Sequence, residues 1–153
     1  MKPFYWSIIP LLILTGCGGG DSSSSSSSSS SFPQHDYSEV AHLTITYDQS
    51  FSINENAHYV YFYQETCHNC NDLKNEVIDF ALKGIVPFYF IVATEDIPSN
   101  YSYQDINRTR GSSNVDDIFV KVVPQLAYIV DGKINKNIIF NINIEEELSH
   151  YIN

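Results

Sequence analysis

Two cysteines three residues apart carry the clearest chemical signal in the sequence. Cys67 and Cys70 enclose the dipeptide His68-Asn69 in the stretch ETCHNCND. At this spacing in the first turn of a helix, the two Cα atoms lie about 5–6 Å apart, within the range that a disulfide requires. The pair could therefore be a redox couple, half of a metal site or a static disulfide.

Redox chemistry requires one of the two sulfurs as a thiolate, and the start of a helix favours that form. Unpaired N–H groups and the positive end of the helix dipole lower the pKa of a thiol from about 8.5 toward ~3.5–7.5. Cys67, the outer residue, is the expected nucleophile, and Cys70, one turn into the helix, is the expected resolving thiol. We expect His68 and Asn69 to tune the couple, since a protonated His68 would stabilise the thiolate further. The alternative is an exposed His68 with little effect.

The same residues give less support to a metal site or to a static disulfide than to a redox couple. Zinc sites usually have four N or S ligands, and the sequence contains no second Cys/His pair at ligand spacing. A monovalent copper ion accepts fewer and softer ligands, so a copper-binding or metal-delivery lipoprotein using Cys67, Cys70 and His68 stays open as the alternative function. A static disulfide across one helical turn closes so small a loop that it should add little stability. We therefore predict a redox-active disulfide, with no metal and no other cofactor.

Two buried strands and a helix are predicted around the pair. Residues 59–63 are an unbroken apolar and aromatic run, which is typical of a strand buried on both faces. The helical period of residues 67–83 places on one face Leu73, Val77, Phe80 and Ala81. Thr66 is the expected N-cap of this helix and Gly84 its expected end. Residues 87–92 are a second buried run, so the order strand, helix, strand predicts a right-handed crossover between parallel strands.

The flanking sequence is predicted to complete one α/β domain over residues 32–153. Further elements follow from the same patterns: a strand at 43–46, a helical turn within 114–120, a strand at 123–130, a strand at 134–142 and a helix at 144–152. Asp131-Gly132 is the expected hairpin turn between the last two strands. Two antiparallel strands should therefore follow the parallel pair.

This arrangement resembles the thioredoxin family over roughly residues 43–152. The resemblance rests on the aromatic strand, the Cys67-x-x-Cys70 motif, the amphipathic helix, and Val123-Pro124 opening a hairpin that leads to a terminal helix. It implies an α/β, thioredoxin-like fold with a central mixed β-sheet flanked by helices. It also implies that Pro124 is the family's cis-proline beside the dithiol, and that Val123 offers its backbone to an extended substrate peptide.

The chain departs from the family's pattern at three places. Thr66 stands where many thioredoxins have a tryptophan, and Tyr61 stands in place of the buried strand acid that accepts a proton during reduction. His68-Asn69 replaces the Gly-Pro of the reductases. These differences argue against the role of a cytosolic reductase and leave the chemistry of the pair intact.

The N-terminal sequence predicts where the couple works. Residues 4–14 are an apolar stretch behind Lys2, shorter than the ~20 residues of an ordinary membrane-spanning helix. Residues 14–17, LTGC, resemble the lipobox of bacterial lipoproteins, in which the signal peptide is cut before a cysteine that then carries lipid. The resemblance implies a signal peptide at 1–16, lipid on Cys17 and an extracytoplasmic location at the cell surface or on the periplasmic face.

Composition predicts a tether behind the lipid and narrows the range of partners. Residues 17–31 are almost entirely Gly and Ser, which cannot bury apolar area and stay flexible. The formal net charge of −10 leaves no basic surface for a phosphate backbone, so we expect no nucleic-acid partner. With Cys17 lipidated, Cys67 and Cys70 are the two thiols left of three in the sequence.

The sequence therefore predicts a membrane-anchored thiol-disulfide oxidoreductase. Its expected substrates are extracytoplasmic cysteine-containing proteins. Since no diffusible nicotinamide pool can be assumed outside the cytoplasm, a membrane redox partner must supply or remove electrons. The residues leave the direction of electron flow open.

Overall fold

The computed structural model describes residues 32–93, 109–114, 117, 120 and 122–152. The predicted signal peptide, Cys17 and the tether lie outside these residues, as does most of the predicted turn within 114–120. The regular elements are β1 (Ala57–Tyr63), α1 (His68–Lys83), β2 (Phe88–Val92), β3 (Gln125–Val130), β4 (Lys133–Ile139) and α2 (Asn141–Ser149). Among the described helices, none is both long and apolar enough to span a membrane.

The four strands form one mixed sheet in the order β2-β1-β3-β4. β1 and β2 are parallel, whereas β3 pairs antiparallel with both β1 and β4. This confirms the predicted parallel pair followed by a hairpin. Positive φ angles at Asp131 (49°) and Gly132 (68°) form the hairpin turn, which is the conformation that an Asp-Gly pair favours.

The burial of β1 explains its unbroken apolar sequence. Residues 58–63 are all buried, and successive side chains point to opposite faces of the sheet. One face packs with α1 and α2 through Tyr59, Tyr61 and Tyr63. The other face contains Val60 and Phe62, which pack with residues of β2 and β3 and with the segment before β1. β1 is therefore buried on both faces of the sheet, as the sequence predicted.

Helix α1 begins at His68, one residue later than expected, because Cys67 and not Thr66 is its N-cap. The Cys67 sulfur accepts a hydrogen bond from the backbone N–H of Cys70. At the other end, Gly84 adopts the left-handed conformation (φ 62°) that a helix C-cap favours, as predicted. The helix buries Leu73, Val77, Phe80 and Ala81 against the sheet.

The predicted strand at 43–46 is wrong. The chain instead forms a 3₁₀ helix at Tyr37–Leu43, and of the predicted strand Thr44 makes an isolated parallel bridge to Phe90. The cause is a capping box, in which the Asp36 side chain accepts from the Ser38 N–H and the Glu39 side chain accepts from the Asp36 N–H. These bonds satisfy the first N–H groups of the 3₁₀ helix, and the segment meets the sheet at its edge, where the Ile45 N–H donates to the Phe90 carbonyl at 2.9 Å.

The last strand and helix lie earlier in the chain than predicted, because the chain turns sharply at Phe140. Phe140 has φ 70° and ψ 142°, a sparsely populated conformation that costs a residue with a Cβ atom about 1–3 kcal/mol. β4 consequently ends at Ile139 and α2 begins at Asn141.

A buried polar network holds α2 on the sheet. Glu147 is 8% exposed and accepts hydrogen bonds from the Tyr59 hydroxyl (2.6 Å) and from the Lys136 ammonium (2.8 and 2.9 Å). Burial acts to raise the pKa of Glu147, but the bonds from Lys136 and Tyr59 outweigh it and lower the pKa below its ordinary value. The charged carboxylate therefore joins α2 to both β1 and β4.

Candidate active site

Cys67 and Cys70 form a disulfide, and the two residues differ in their access to solvent. Their Cα atoms are 5.2 Å apart, in agreement with the spacing expected for the first turn of a helix. Cys67 is half-buried, whereas Cys70 has no exposed surface. An incoming sulfur atom can therefore reach Cys67 but not Cys70, and the roles of nucleophile and resolving thiol stay predictions.

The start of α1 places a backbone N–H group on the outer sulfur. The Cys70 N–H donates to Cys67 Sγ at 3.1 Å, and the Asn71 N–H donates to the Cys67 carbonyl at 3.1 Å. When the disulfide is reduced, the first of these bonds becomes a charge-assisted bond to a thiolate, which is stronger than a bond to a neutral sulfur. The helix N-terminus therefore stabilises the nucleophilic form of Cys67.

The loop before β3 lies directly against the pair. The Val123–Pro124 peptide bond is cis, as predicted, and Pro124 is buried. The Val123 carbonyl oxygen is 3.6 Å from Cys67 Sγ. In the disulfide form Cys67 has no S–H group and cannot donate to this carbonyl. After reduction, the Cys67 thiol can donate a hydrogen bond to it. The structure thus brings Cys67 and Cys70 next to Val123 and Pro124, although the two pairs are more than fifty residues apart in the sequence.

His68 and Asn69 occupy different positions beside the couple. The His68 side chain is 91% exposed, and its Nε2 atom is 3.6 Å from the Asp72 carboxylate, which is also largely exposed. Solvent weakens the field of such an exposed ring, so tuning by His68 stays a prediction. Asn69 contributes its backbone carbonyl, which accepts a hydrogen bond from the Asn141 side chain at 3.1 Å. Over the described part of the chain, no group of three or more His, Cys, Asp or Glu side chains is arranged to hold a metal ion.

A cluster of tyrosines lies beneath the pair. Tyr61 is fully buried, and its hydroxyl makes no hydrogen bond of normal geometry. Burial, and secondarily the neighbouring hydroxyl of Tyr37, raise the pKa of Tyr61 far above its ordinary value, so this residue stays protonated and cannot serve as a base. Tyr37 donates its hydroxyl to the Cys70 carbonyl at 3.3 Å and stacks on Tyr63 with a centroid distance of 3.9 Å.

A cleft of about 650 Å³ opens beside the start of α1. It is lined by Tyr37, Tyr63, Glu65, Asn71 and Lys74, among others. Asn71 in turn donates its side-chain N–H to the Glu65 carbonyl at 3.1 Å, which fixes the rim of the cleft next to Cys67. The cleft therefore borders the segment that carries the two cysteines, although neither cysteine lines it.

Sequence reasoning missed Tyr37 and Asn141, which contact the backbone of Cys70 and Asn69. The capping box at Asp36 and Glu39 is a local signal that could have placed Tyr37 on a helical turn. No local pattern indicates Asn141, since its partner is 72 residues away in the sequence.

Comparisons with known proteins identify the fold. No family model matches the chain, and no curated protein matches its sequence. Among solved structures, it is similar to thioredoxin f2 of Chlamydomonas reinhardtii, with TM-score 0.50 and 12% identity over 71% of this chain and 91% of that one. It is also similar to the Malassezia sympodialis thioredoxin Mala s 13, with TM-score 0.50 and 12% identity over 71% and 90% of the two chains. The mixed sheet flanked by helices and these structural neighbours together show that the chain has a thioredoxin-like fold.

Proposed function

We propose that this protein is a membrane-anchored, extracytoplasmic thiol-disulfide oxidoreductase that acts on secreted or surface proteins through Cys67 and Cys70. The observation that carries the redox assignment is the asymmetry of the pair: an accessible Cys67 sulfur at a helix N-terminus, and a Cys70 sulfur buried behind it. A static structural disulfide needs no such difference in access. Membrane anchoring is supported by the sequence LTGC at 14–17 and by the Gly/Ser-rich segment behind it.

In the reductive direction, the reaction begins at Cys67. The Cys67 thiolate attacks one sulfur of a substrate disulfide, so that a mixed disulfide forms and the other substrate sulfur leaves as a thiolate. The Cys70 thiolate then attacks Cys67 Sγ, which releases the second substrate sulfur and closes the Cys67–Cys70 disulfide. Two electrons pass from the dithiol to the substrate, and the two thiol protons end on the substrate cysteines. The oxidative direction is the reverse sequence, in which Cys67 is attacked by a substrate thiolate.

The environment of Cys67 supplies what these steps need. The Cys70 N–H stabilises the attacking thiolate at 3.1 Å. The Val123 carbonyl is 3.6 Å from Cys67 Sγ, and by the resemblance to the thioredoxin family a substrate peptide would pair with the backbone of Val123. Completion of a catalytic cycle requires a second redox protein in the membrane, which restores the dithiol or the disulfide.

Replacement of Cys70 by serine is expected to trap substrates as mixed disulfides, because the thiol that releases them is absent. Affinity purification from cells under non-reducing conditions, followed by reduction and mass spectrometry, should recover disulfide-linked extracytoplasmic proteins. The double variant Cys67→Ser, Cys70→Ser is the matched control and should recover none. Absence of any disulfide-linked partner, together with stoichiometric copper in the purified protein, would replace this proposal with the metal-delivery function.

Replacement of Cys17 by alanine is expected to release the protein from the membrane. Lipoproteins carry two or more acyl chains, which is enough for stable anchoring, whereas one chain gives weak and reversible binding. In detergent-phase partitioning the wild-type protein should enter the detergent phase and the Cys17→Ala variant the aqueous phase. Wild-type protein found wholly in the aqueous phase, or a variant that stays in the detergent phase, contradicts the anchor.

A further inference from the structure

Asn141, the first residue of α2, contacts the peptide between the two cysteines. Its Nδ2 atom donates to the Asn69 carbonyl at 3.1 Å. The side-chain amide must present its N–H group here, because Oδ1 and the carbonyl oxygen are both acceptors and could not form a hydrogen bond. A residue from the C-terminal helix therefore holds the turn that contains the redox couple.

This contact reaches Cys67 through one peptide unit. The Asn69 carbonyl and the Cys70 N–H belong to the same planar peptide group, so fixing the direction of the carbonyl also fixes the direction of the N–H. The Cys70 N–H in turn donates to Cys67 Sγ at 3.1 Å. Hydrogen bonds in such a chain polarise one another, and each strengthens the next. Asn141, the peptide unit and the Cys67 sulfur therefore form a continuous chain of donors and acceptors.

Two local features show that the position of Asn141 has an energetic cost. The preceding residue, Phe140, has a positive φ of 70° and is 51% exposed, so the turn that delivers Asn141 is strained without burying the phenyl ring. The Asn141 Oδ1 atom is buried and has no hydrogen-bond partner. A buried acceptor without a partner is unfavourable, and the hydrogen bond from Nδ2 to the Asn69 carbonyl offsets part of this cost.

We propose that Asn141 is a positioning residue that raises the reduction potential of the Cys67–Cys70 couple by orienting the Cys70 N–H toward the Cys67 sulfur. This inference rests on the proposed redox function. The N–H bond is stronger to a thiolate than to a disulfide sulfur, so the chain of hydrogen bonds stabilises the reduced form more than the oxidised form. Stabilisation of the reduced form makes the disulfide more oxidising.

The test is the equilibrium of the purified protein with glutathione redox buffers at one fixed pH, measured for wild type, Asn141→Ala and Asn141→Asp. Asn141→Ala removes the donor and should shift the equilibrium about fivefold toward the disulfide, equivalent to a potential ~20 mV more negative. Asn141→Asp keeps the shape of the side chain but places a negative charge against the Asn69 carbonyl. We expect a shift of about tenfold, or ~30 mV, in the same direction. In the Cys70→Ser background, alkylation of Cys67 at a pH below its pKa should slow in both Asn141 variants, because less thiolate is present.

Asn143 provides a matched control on the same helix. Its side-chain N–H donates to the Ile139 carbonyl at 2.8 Å on the exposed surface, and not to the peptide between the two cysteines. Asn143→Ala should leave the potential and the alkylation rate unchanged, and circular dichroism of the oxidised proteins shows that each variant is folded. Unchanged potentials in both folded Asn141 variants overturn this inference and leave the proposed function intact. Failure of the wild-type couple to equilibrate with glutathione at all overturns the proposed function itself.

Discussion

Replacement of Cys67 by serine is expected to reduce thiol-disulfide exchange to the rate measured without protein. A serine hydroxyl does not ionise in the pH range of the reaction, so no nucleophile is left at the exposed position. Cys70 cannot take over, because it has no exposed surface and lies behind Cys67 in the first turn of α1. The measurement is the steady-state reduction of a protein disulfide by the dithiol form, with a small-molecule thiol as the electron source.

The Cys70→Ser variant is the matched control for this experiment. It should also lose steady-state turnover, but it should retain a rapid single-turnover attack, since Cys67 and its hydrogen-bond partners are still present. Residual turnover by Cys67→Ser that is lost in the double variant would show that Cys70 reaches substrate directly. That result would contradict the division of roles between the two cysteines.

Replacement of Phe90 by alanine is expected to lower the free energy of unfolding by about 3–5 kcal/mol, which is the range for a buried aromatic residue. Phe90 is completely buried at the centre of an aromatic cluster. Its ring lies 5.2 to 6.2 Å, between centroids, from those of Phe88, Tyr61, Tyr63 and Tyr37. The substitution removes the transfer free energy of the ring and leaves a cavity that these neighbours cannot fill without moving. Denaturant unfolding of the oxidised protein measures the effect.

Val92 offers a control on the same strand. Its side chain is 41% exposed, so Val92→Ala should change the free energy of unfolding by less than about 1 kcal/mol. Equal effects of the two substitutions would show that the aromatic cluster under α1 is not closely packed. A loss confined to Phe90→Ala would show that burial of the Phe90 ring in this cluster stabilises the domain.

The strand and helix that carry the couple were predictable because their signals are local. The apolar run at 59–63 and the helical period after Cys70 each depend on neighbouring residues, and the structure confirms both. At the N-terminus of α1, the capping preference indicates the wrong residue for a physical reason. Thr66 has the better acceptor by ordinary capping preference, but the sulfur of Cys67 is the atom that meets the Cys70 N–H.

Other features depend on competition between distant residues and could not be predicted from one segment. Residues 43–46 contain three β-branched residues, which favour a strand. The capping box at Asp36 and Glu39 nevertheless stabilises a 3₁₀ helix in the residues before them. The contact between Asn141 and Asn69 requires the sheet, the hairpin and the turn at Phe140 to be in place first. Local sequence therefore could not predict the contacts that distant residues make with the turn between the two cysteines.

The path by which the chain enters the domain determines how the site would respond to mechanical load. The His35 N–H donates to the Asn75 side chain at 2.8 Å, and Tyr37 donates to the Cys70 carbonyl at 3.3 Å while stacking on Tyr63. In a protein held at its N-terminal end, a pulling force therefore acts first on contacts with α1, the helix that carries the couple. Detachment of this entry segment would remove a hydrogen bond from Cys70 and expose the ring of Tyr63. A force applied to the N-terminal end would therefore be transmitted to the residues that hold the cysteine pair, because Tyr37 contacts Cys70 directly.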